Sequence, residues 1–214
     1  MTTYKLCYFN VRGLAETTRI LFHLAGQPYE DYRYPIDLSN FSKPEYDVDK
    51  EAGDFAVAMD RLPLLVVNGQ FVLGQSKSIE RFVAKKLGFL GDNEEQEAFI
   101  DMVTEHVRDI KQKWGDIKLQ TNKEEVAAKK QKFLQEDLPI WLGKLETVVS
   151  SSYYMENSRI TLADVAIQQL LTDYFDDKDA VNAALQPCPK LFEIVSTVSV
   201  AASAWLASRP VTAF

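Results

Sequence analysis

The chain has 214 residues, enough for one large domain or two small ones, and its 46% hydrophobic and 26% charged content is that of an ordinary globular protein. A formal net charge of −7, with no cluster of lysines and arginines, argues against a nucleic-acid partner, which would need a basic face to neutralise phosphates. No apolar run is long enough to cross a bilayer, the opening residues lack a signal-peptide pattern, and Cys7 and Cys188 are too few for a disulfide framework, so a soluble protein of the reducing cytoplasm, with no membrane partner, is expected.

Up to about residue 88, short apolar strands alternate with amphipathic helices. Tyr4 to Phe9 reads as a buried strand. Gly13 opens a helical stretch in which Leu14, Ile20, Leu21 and Leu24 form one apolar stripe; Gly26 supplies the left-handed residue that ends it, and Pro28 prevents continuation. Tyr29 to Tyr34 reads as a second strand. The polar stretch from Asp37 to Asp60, with Pro44 and Gly53, mixes loop with a short helix. Leu64 to Val67, Asn68-Gly69 and Gln70 to Leu73 form a hairpin signal, because Asn-Gly suits a two-residue turn that needs positive φ at both positions. Ser76 caps a helix running to about Leu87, which Gly88 ends.

From Asp92 onward the pattern is helical only. Phe99, Val103, His106, Val107 and Ile110 share one face, and Glu94, Glu95 and Glu97 make an acidic first turn. Lys123 to Ser150 is a second long helical pattern that Pro139 kinks or divides. Thr161-Leu-Ala-Asp164 is a capping-box-like start, with Asp in place of the usual Glu or Gln, and opens a helix through about Phe175. Pro187 and Pro189 punctuate the chain before a last helix from Lys190 to about Ser208. The expected organisation is an α/β domain over 1–87, a linker over 88–93 and an all-helical domain over 94–214.

Three local features can carry chemistry. Tyr8-Phe9-Asn10-Val11-Arg12-Gly13 closes the first strand and enters the first helix, where a phenol can donate a hydrogen bond to an anion and a helix dipole adds favourable potential. Taken alone, Tyr8 reads more readily as half of a Tyr-Phe core pair than as a catalytic group, because aromatic residues in strands usually pack. Leu62-Pro63 precedes the hairpin; a proline opening a strand is either an ordinary trans residue or a cis one that turns the preceding backbone toward a peptide-like ligand. Gln75-Ser76 begins the helix after the hairpin, where a serine either simply caps or also leaves backbone N–H groups for a carboxylate.

The order and spacing of these features resemble the glutathione-binding, thioredoxin-like domain of cytosolic glutathione S-transferases. The opening from Tyr4 through Arg12-Gly13-Leu14-Ala15-Glu16 is similar to the sigma class, which includes glutathione-dependent prostaglandin D synthase, and the helical remainder, with Thr161 to Asp164, extends the resemblance over the whole chain. It implies a thioredoxin-like N-terminal domain followed by an all-α domain, and glutathione as co-substrate with no other cofactor and no metal. Tyr8 would stabilise the glutathione thiolate, the Leu62 backbone would pair with the cysteinyl part beside a cis Pro63, and Gln75 and Ser76 would hold the γ-glutamyl carboxylate. It also implies a homodimer in which an acidic residue of the second subunit reaches the γ-glutamyl amine; Asp109 falls at that position, with Glu105 one turn earlier.

The chain departs from the sigma pattern at three places. Leu14 stands where an arginine often helps to polarise the tyrosine. Phe41 replaces the usual Trp of the glycyl-carboxylate segment, and Lys43 or Lys50 its Lys. Asp60-Arg61 precedes the proline segment, which brings Arg61 to the glycyl end. The acceptor, a small hydrophobic electrophile, would meet Phe9, Leu14 and residues around Arg108 to Trp114, between the domains. Isomerisation of the prostaglandin D synthase kind, or a non-enzymatic S-crystallin-like or carrier role, are the alternatives. Cys7, on the opposite strand face from Tyr8, reads as core, as do Trp141 and Trp205; His23 and His106 have no neighbours at metal-ligand spacing.

Overall fold

The computed structural model describes residues 2–150 and 159–212; residues 151–158 and 213–214, within the range expected to be helical, lie outside the described residues. The chain divides into two compact units, Met1–Leu87 together with Ala204–Phe214, and Gly88–Ser203.

The first unit is built on a four-stranded sheet in the order β2-β1-β3-β4, from β1 (Tyr4–Phe9), β2 (Glu30–Tyr34), β3 (Leu64–Val67) and β4 (Phe71–Gly74). β1 and β2 are parallel, as a helical crossover between them requires, whereas β1 pairs with β3 and β3 with β4 antiparallel. β1 is covered on both faces, which is why its residues are nearly all apolar. Tyr4, Leu6 and Tyr8 share one face, where Tyr4 meets Phe22 of α1 (Glu16–Leu24) at 5.1 Å between rings. Cys7, on the other face, joins Tyr34, Tyr46, Phe55, Ala58 and Leu64 in a cluster roofed by α2 (Pro44–Glu51) and a 3-10 turn at Ala56–Ala58. Burial pushes the Cys7 thiol up to about 11, so it remains a protonated, inert core residue.

Two expectations change here. Leu14 is not part of the α1 stripe: it is 50% exposed in a 3-10 turn, Gly13–Ala15, whose tighter winding shifts the phase before the α-helix begins. Ile20 and Leu21 are fully buried as expected, but so are Phe22, Glu16 and Arg19. In the hairpin, Asn68 and Gly69 both take positive φ (52° and 67°), yet Val67 pairs with Phe71, so the loop spans one residue more, Gln70, than a two-residue turn. α3 (Ser76–Leu87) closes the unit's α/β part and packs on α1.

The second unit contains α4 (Glu94–Lys118), α5 (Lys123–Lys132), α6 (Leu138–Val149), α7 (Leu162–Gln169), α8 (Lys178–Leu185) and α9 (Pro189–Ala201). Asn93 caps α4 by accepting from the Gln96 N–H at 2.9 Å. The long pattern ahead of residue 150 is divided by a π-helical turn at Phe133–Asp137, and Pro139, which has no N–H to give, stands in the first turn of α6 directly after it. The capping box is formed: Asp164 Oδ2 accepts from the Thr161 N–H at 2.7 Å and Thr161 Oγ1 from the Asp164 N–H at 3.4 Å. α7 passes into a second π turn at Leu170–Tyr174. The last helix is two: buried Ala202 ends α9, and α10 (Ser203–Ser208) belongs almost wholly to the first unit. α8, which the sequence pattern did not single out, starts on Asp177, whose carboxylate accepts from the Ala180 N–H at 2.9 Å.

Candidate functional site

The register of the sheet gathers the three chemical features at one end of the first unit. Leu64 pairs with both Cys7 and Gly74, so the start of β3 lies between the finish of β1 and the finish of β4. Tyr8, Leu62-Pro63 and Gln75-Ser76 therefore come together where strand ends and a helix N-terminus meet, a common ligand position in α/β layers. The Leu62–Pro63 peptide is cis, Pro63 is buried, and Leu62 packs half-buried against the Cys7 cluster. Gln75 has φ of 69°, is exposed, and accepts from the Ile79 N–H at 3.0 Å. Gln75 is thus the flanking residue and Ser76 the first residue of α3, not its cap as expected. The first N–H groups of such a helix still lack intrahelical partners.

Tyr8 is 8% exposed, with its ring 5.6 Å from that of Phe9, which in turn meets Tyr46 at 5.1 Å. Its hydroxyl accepts from the Leu14 N–H at 3.3 Å. A phenol has one proton to give and two lone pairs; one lone pair is used, and the proton has no acceptor among the described residues. The turn beneath it is tight: Gly13 has φ of 44°, and a Cβ there would stand 2.7 Å from the Tyr8 hydroxyl oxygen. Burial raises the phenol's pKa above its ordinary value, opposed by the Leu14 N–H and by the Arg19 guanidinium, 5.9 Å from the ring. The group at this site is therefore a protonated donor at neutral pH.

Arg19 is the residue that sequence reasoning missed. Fully buried, it donates to the Val11 and Arg12 carbonyls (2.8 and 3.3 Å), to Asp31 (3.1 Å) and to Glu16 (3.4 Å). The one local signal was Glu16-x-x-Arg19, an i, i+3 pair on a helix that is otherwise a core element. It brings a positive charge near Tyr8 in a chain that has Leu14 where an arginine was expected.

The remaining expected site residues are more dispersed. Phe41 is 64% exposed with φ of 58°. Lys43 pairs with Asp47 at 3.5 Å and lies over the Tyr46 ring. Lys50 and Arg61 are exposed and make no ion pair among the described residues; the Arg61 N–H bonds to the Ala58 carbonyl at 3.2 Å. In the second unit, Asp109 is exposed on α4, and Arg108 pairs with Glu105 at 2.7 Å. Trp114 is 1% exposed, wedged between Phe133 (5.5 Å) and Phe175 (5.3 Å), so its ring is core rather than an open wall for an acceptor. Its edge borders a cavity of about 430 Å³ that Lys130, Leu134 and Asp176 also line. His106 contacts the Trp141 carbonyl at 3.4 Å, and among the described residues no group of three or more His, Cys, Asp or Glu could hold a metal ion. No described helix is long and apolar enough to cross a membrane.

A small mixed sheet with this connectivity, followed by a helical unit, defines the class of two-unit proteins with a thioredoxin-like first unit. Residues 108–209 match the family described as "Glutathione S-transferase, C-terminal domain". The chain is 33% identical to glutathione S-transferase S1 of Drosophila melanogaster over 98% of its own length and 80% of the relative's. Among solved structures it is similar to the Fasciola hepatica sigma class transferase, with a TM-score of 0.79 and 27% identity over 100% of this chain and 99% of the other. It shares its fold with the prostaglandin synthase D of Nilaparvata lugens, at a TM-score of 0.79 and 22% identity over 98% and 100% of the two chains. The chain belongs to the glutathione S-transferase family.

Proposed function

We propose that this protein conjugates glutathione to small hydrophobic electrophiles, with Tyr8 donating its phenolic proton in a hydrogen bond to the thiolate. The observation that carries this reading is the Tyr8 hydroxyl itself: held by the Leu14 N–H, kept protonated by burial, and with no acceptor for its own proton among the described residues. A free thiol with a pKa of about 8.5 is only a few per cent ionised at neutral pH. Lowering it by about two units requires roughly 2.7 kcal/mol of preference for the anion. One charge-assisted hydrogen bond, aided by the Arg19 charge, supplies that order of magnitude.

The rest of the tripeptide follows from the sheet end. The Leu62 backbone, beside Pro63, would pair with the cysteinyl part. Gln75 and Ser76, at the N-terminus of α3, would take the γ-glutamyl carboxylate. For the glycyl carboxylate, Lys50 and Arg61 are favoured over Lys43 because Asp47 already engages Lys43, with Phe41 as an exposed apolar neighbour in the same stretch. Phe9 and exposed Leu14, each adjoining Tyr8, would meet the acceptor. We assign residues 1–87 as the glutathione-binding domain, 88–93 as the linker and 94–214 as the helical domain, whose last residues from Ala204 onward return to pack with the first unit. A homodimer in which Asp109 serves the second subunit's glutathione completes the reading; a light-scattering mass of one chain, or an Asp109→Asn variant with an unchanged glutathione KM, would remove that part. Two buried, unpaired cysteines suit the cytoplasm as the working compartment, which fractionation checks.

Turnover of glutathione with a chlorodinitrobenzene tests the main claim. Tyr8→Phe should lower kcat by roughly ten- to a hundredfold near neutral pH, with little change in glutathione KM, because the lost hydrogen bond acts on the reacting sulfur. An unchanged kcat overturns it.

A further inference from the structure

We infer that the C-terminal segment is a clasp that positions Tyr8: Trp205 and Arg209 hold Glu16, Glu16 holds Arg19, and Arg19 fixes the turn on which the Tyr8 hydroxyl rests. The inference rests on the proposed role of Tyr8 and makes Glu16, Arg19, Trp205 and Arg209 positioning residues for it.

The contacts form a continuous path within the first unit. The Glu16 side chain is 1% exposed and accepts from Trp205 Nε1–H at 2.9 Å and from Arg209 Nη1 at 2.8 Å on one carboxylate oxygen. Its other oxygen accepts from Arg19 Nη1 at 3.4 Å. A buried carboxylate is tolerated only when such donors surround it, so the tail is a required partner of α1 rather than an incidental neighbour. The same Arg19 nitrogen donates to the Val11 and Arg12 carbonyls, which belong to the turn joining β1 to the 3-10 turn. Gly13 follows directly, and there a single added carbon would stand 2.7 Å from the Tyr8 oxygen. With so little slack, a displacement of a few tenths of an ångström in this turn alters the 3.3 Å contact from the Leu14 N–H and the direction in which the phenol points. The Arg19 charge, 5.9 Å from the Tyr8 ring, moves with the same carboxylate.

A tail that merely anchored the fold would act on stability and leave the sulfur's ionisation alone. The test therefore reads the pH profile of kcat in the full chain, with saturating glutathione and a chlorodinitrobenzene. Trp205→Phe keeps an aromatic ring but removes the indole N–H together with the five-membered ring that carries it, and Arg209→Met removes the charge at similar length. Each is expected to move the acidic limb of the profile upward by roughly half a unit, which lowers kcat about threefold on that limb and little at high pH. Glutathione KM should change little, and Arg209→Lys, which keeps a donor for Glu16, should recover most of the loss. If Trp205→Phe and Arg209→Met both retain the parent profile, the clasp is refuted, even where their melting temperatures fall. Tyr8→Phe in the same series separates the two ideas. A parent-like profile in Tyr8→Phe removes the reading of Tyr8 itself, whereas a shifted profile there with unshifted tail variants removes only the clasp.

Discussion

α1 in the first unit and α7 in the second are both buried helices that carry acidic groups, and the bonds among the described residues reach those groups over different ranges of sequence. Asp164 accepts within its own first turn from the Thr161 N–H and hydroxyl, at 2.7 and 2.8 Å. Glu16 and Arg19 draw on Val11, Arg12, Asp31, Trp205 and Arg209, the last of these 193 residues away in sequence. A local cap stabilises one helix end, whereas a long-range network ties helix, strand, turn and chain terminus into one unit. The second arrangement also lies beside Tyr8, so its integrity bears on chemistry as well as stability.

The sharpest way to break this contrast is to empty each centre in turn. Arg19→Met should cost about 3 kcal/mol in urea unfolding, because it leaves buried Glu16 and half-buried Asp31 with fewer compensating donors. The loss is limited by the donors that remain, Trp205 and Arg209 for Glu16 and Arg33 for Asp31 at 2.7 Å. Asp164→Ala should cost less, about 1–2 kcal/mol, the usual range for a lost cap whose backbone N–H partner is left unpaired. It should leave the pH profile of kcat in place. Equal losses from the two substitutions, or a shifted profile in Asp164→Ala, would show that the distinction between local and long-range satisfaction has no functional content.

The same contrast explains what the sequence made legible. β1, the Asn68-Gly69 turn and the Thr161–Asp164 box each depend on residues within a few positions, so spacing alone located them. The placement of Tyr8, Pro63 and Gln75-Ser76 at one sheet end follows from pairings between distant strands, and it was the family resemblance rather than periodicity that grouped them. Arg19 was hidden because a charged residue on an amphipathic helix ordinarily faces solvent, and its partners come from three separate stretches of chain: Val11-Arg12, Glu16 and Asp31. Leu14 was misassigned to the stripe because apolar spacing cannot reveal that a 3-10 turn precedes the helix. The position of Trp114 on α4 suits both helix packing and an acceptor wall, and it takes the packing of Phe133 and Phe175 around it to place its ring in the core.

Direct titration of bound glutathione by thiolate ultraviolet absorbance, in the parent and in Tyr8→Phe, tests the central claim with no acceptor present. The thiol should ionise about two units below its free value of about 8.5 in the parent, and most of that depression should vanish when the phenolic hydroxyl is removed. Equal apparent pKa values in the two proteins would contradict the account, since the hydroxyl held over Gly13 would then have no part in stabilising the sulfur.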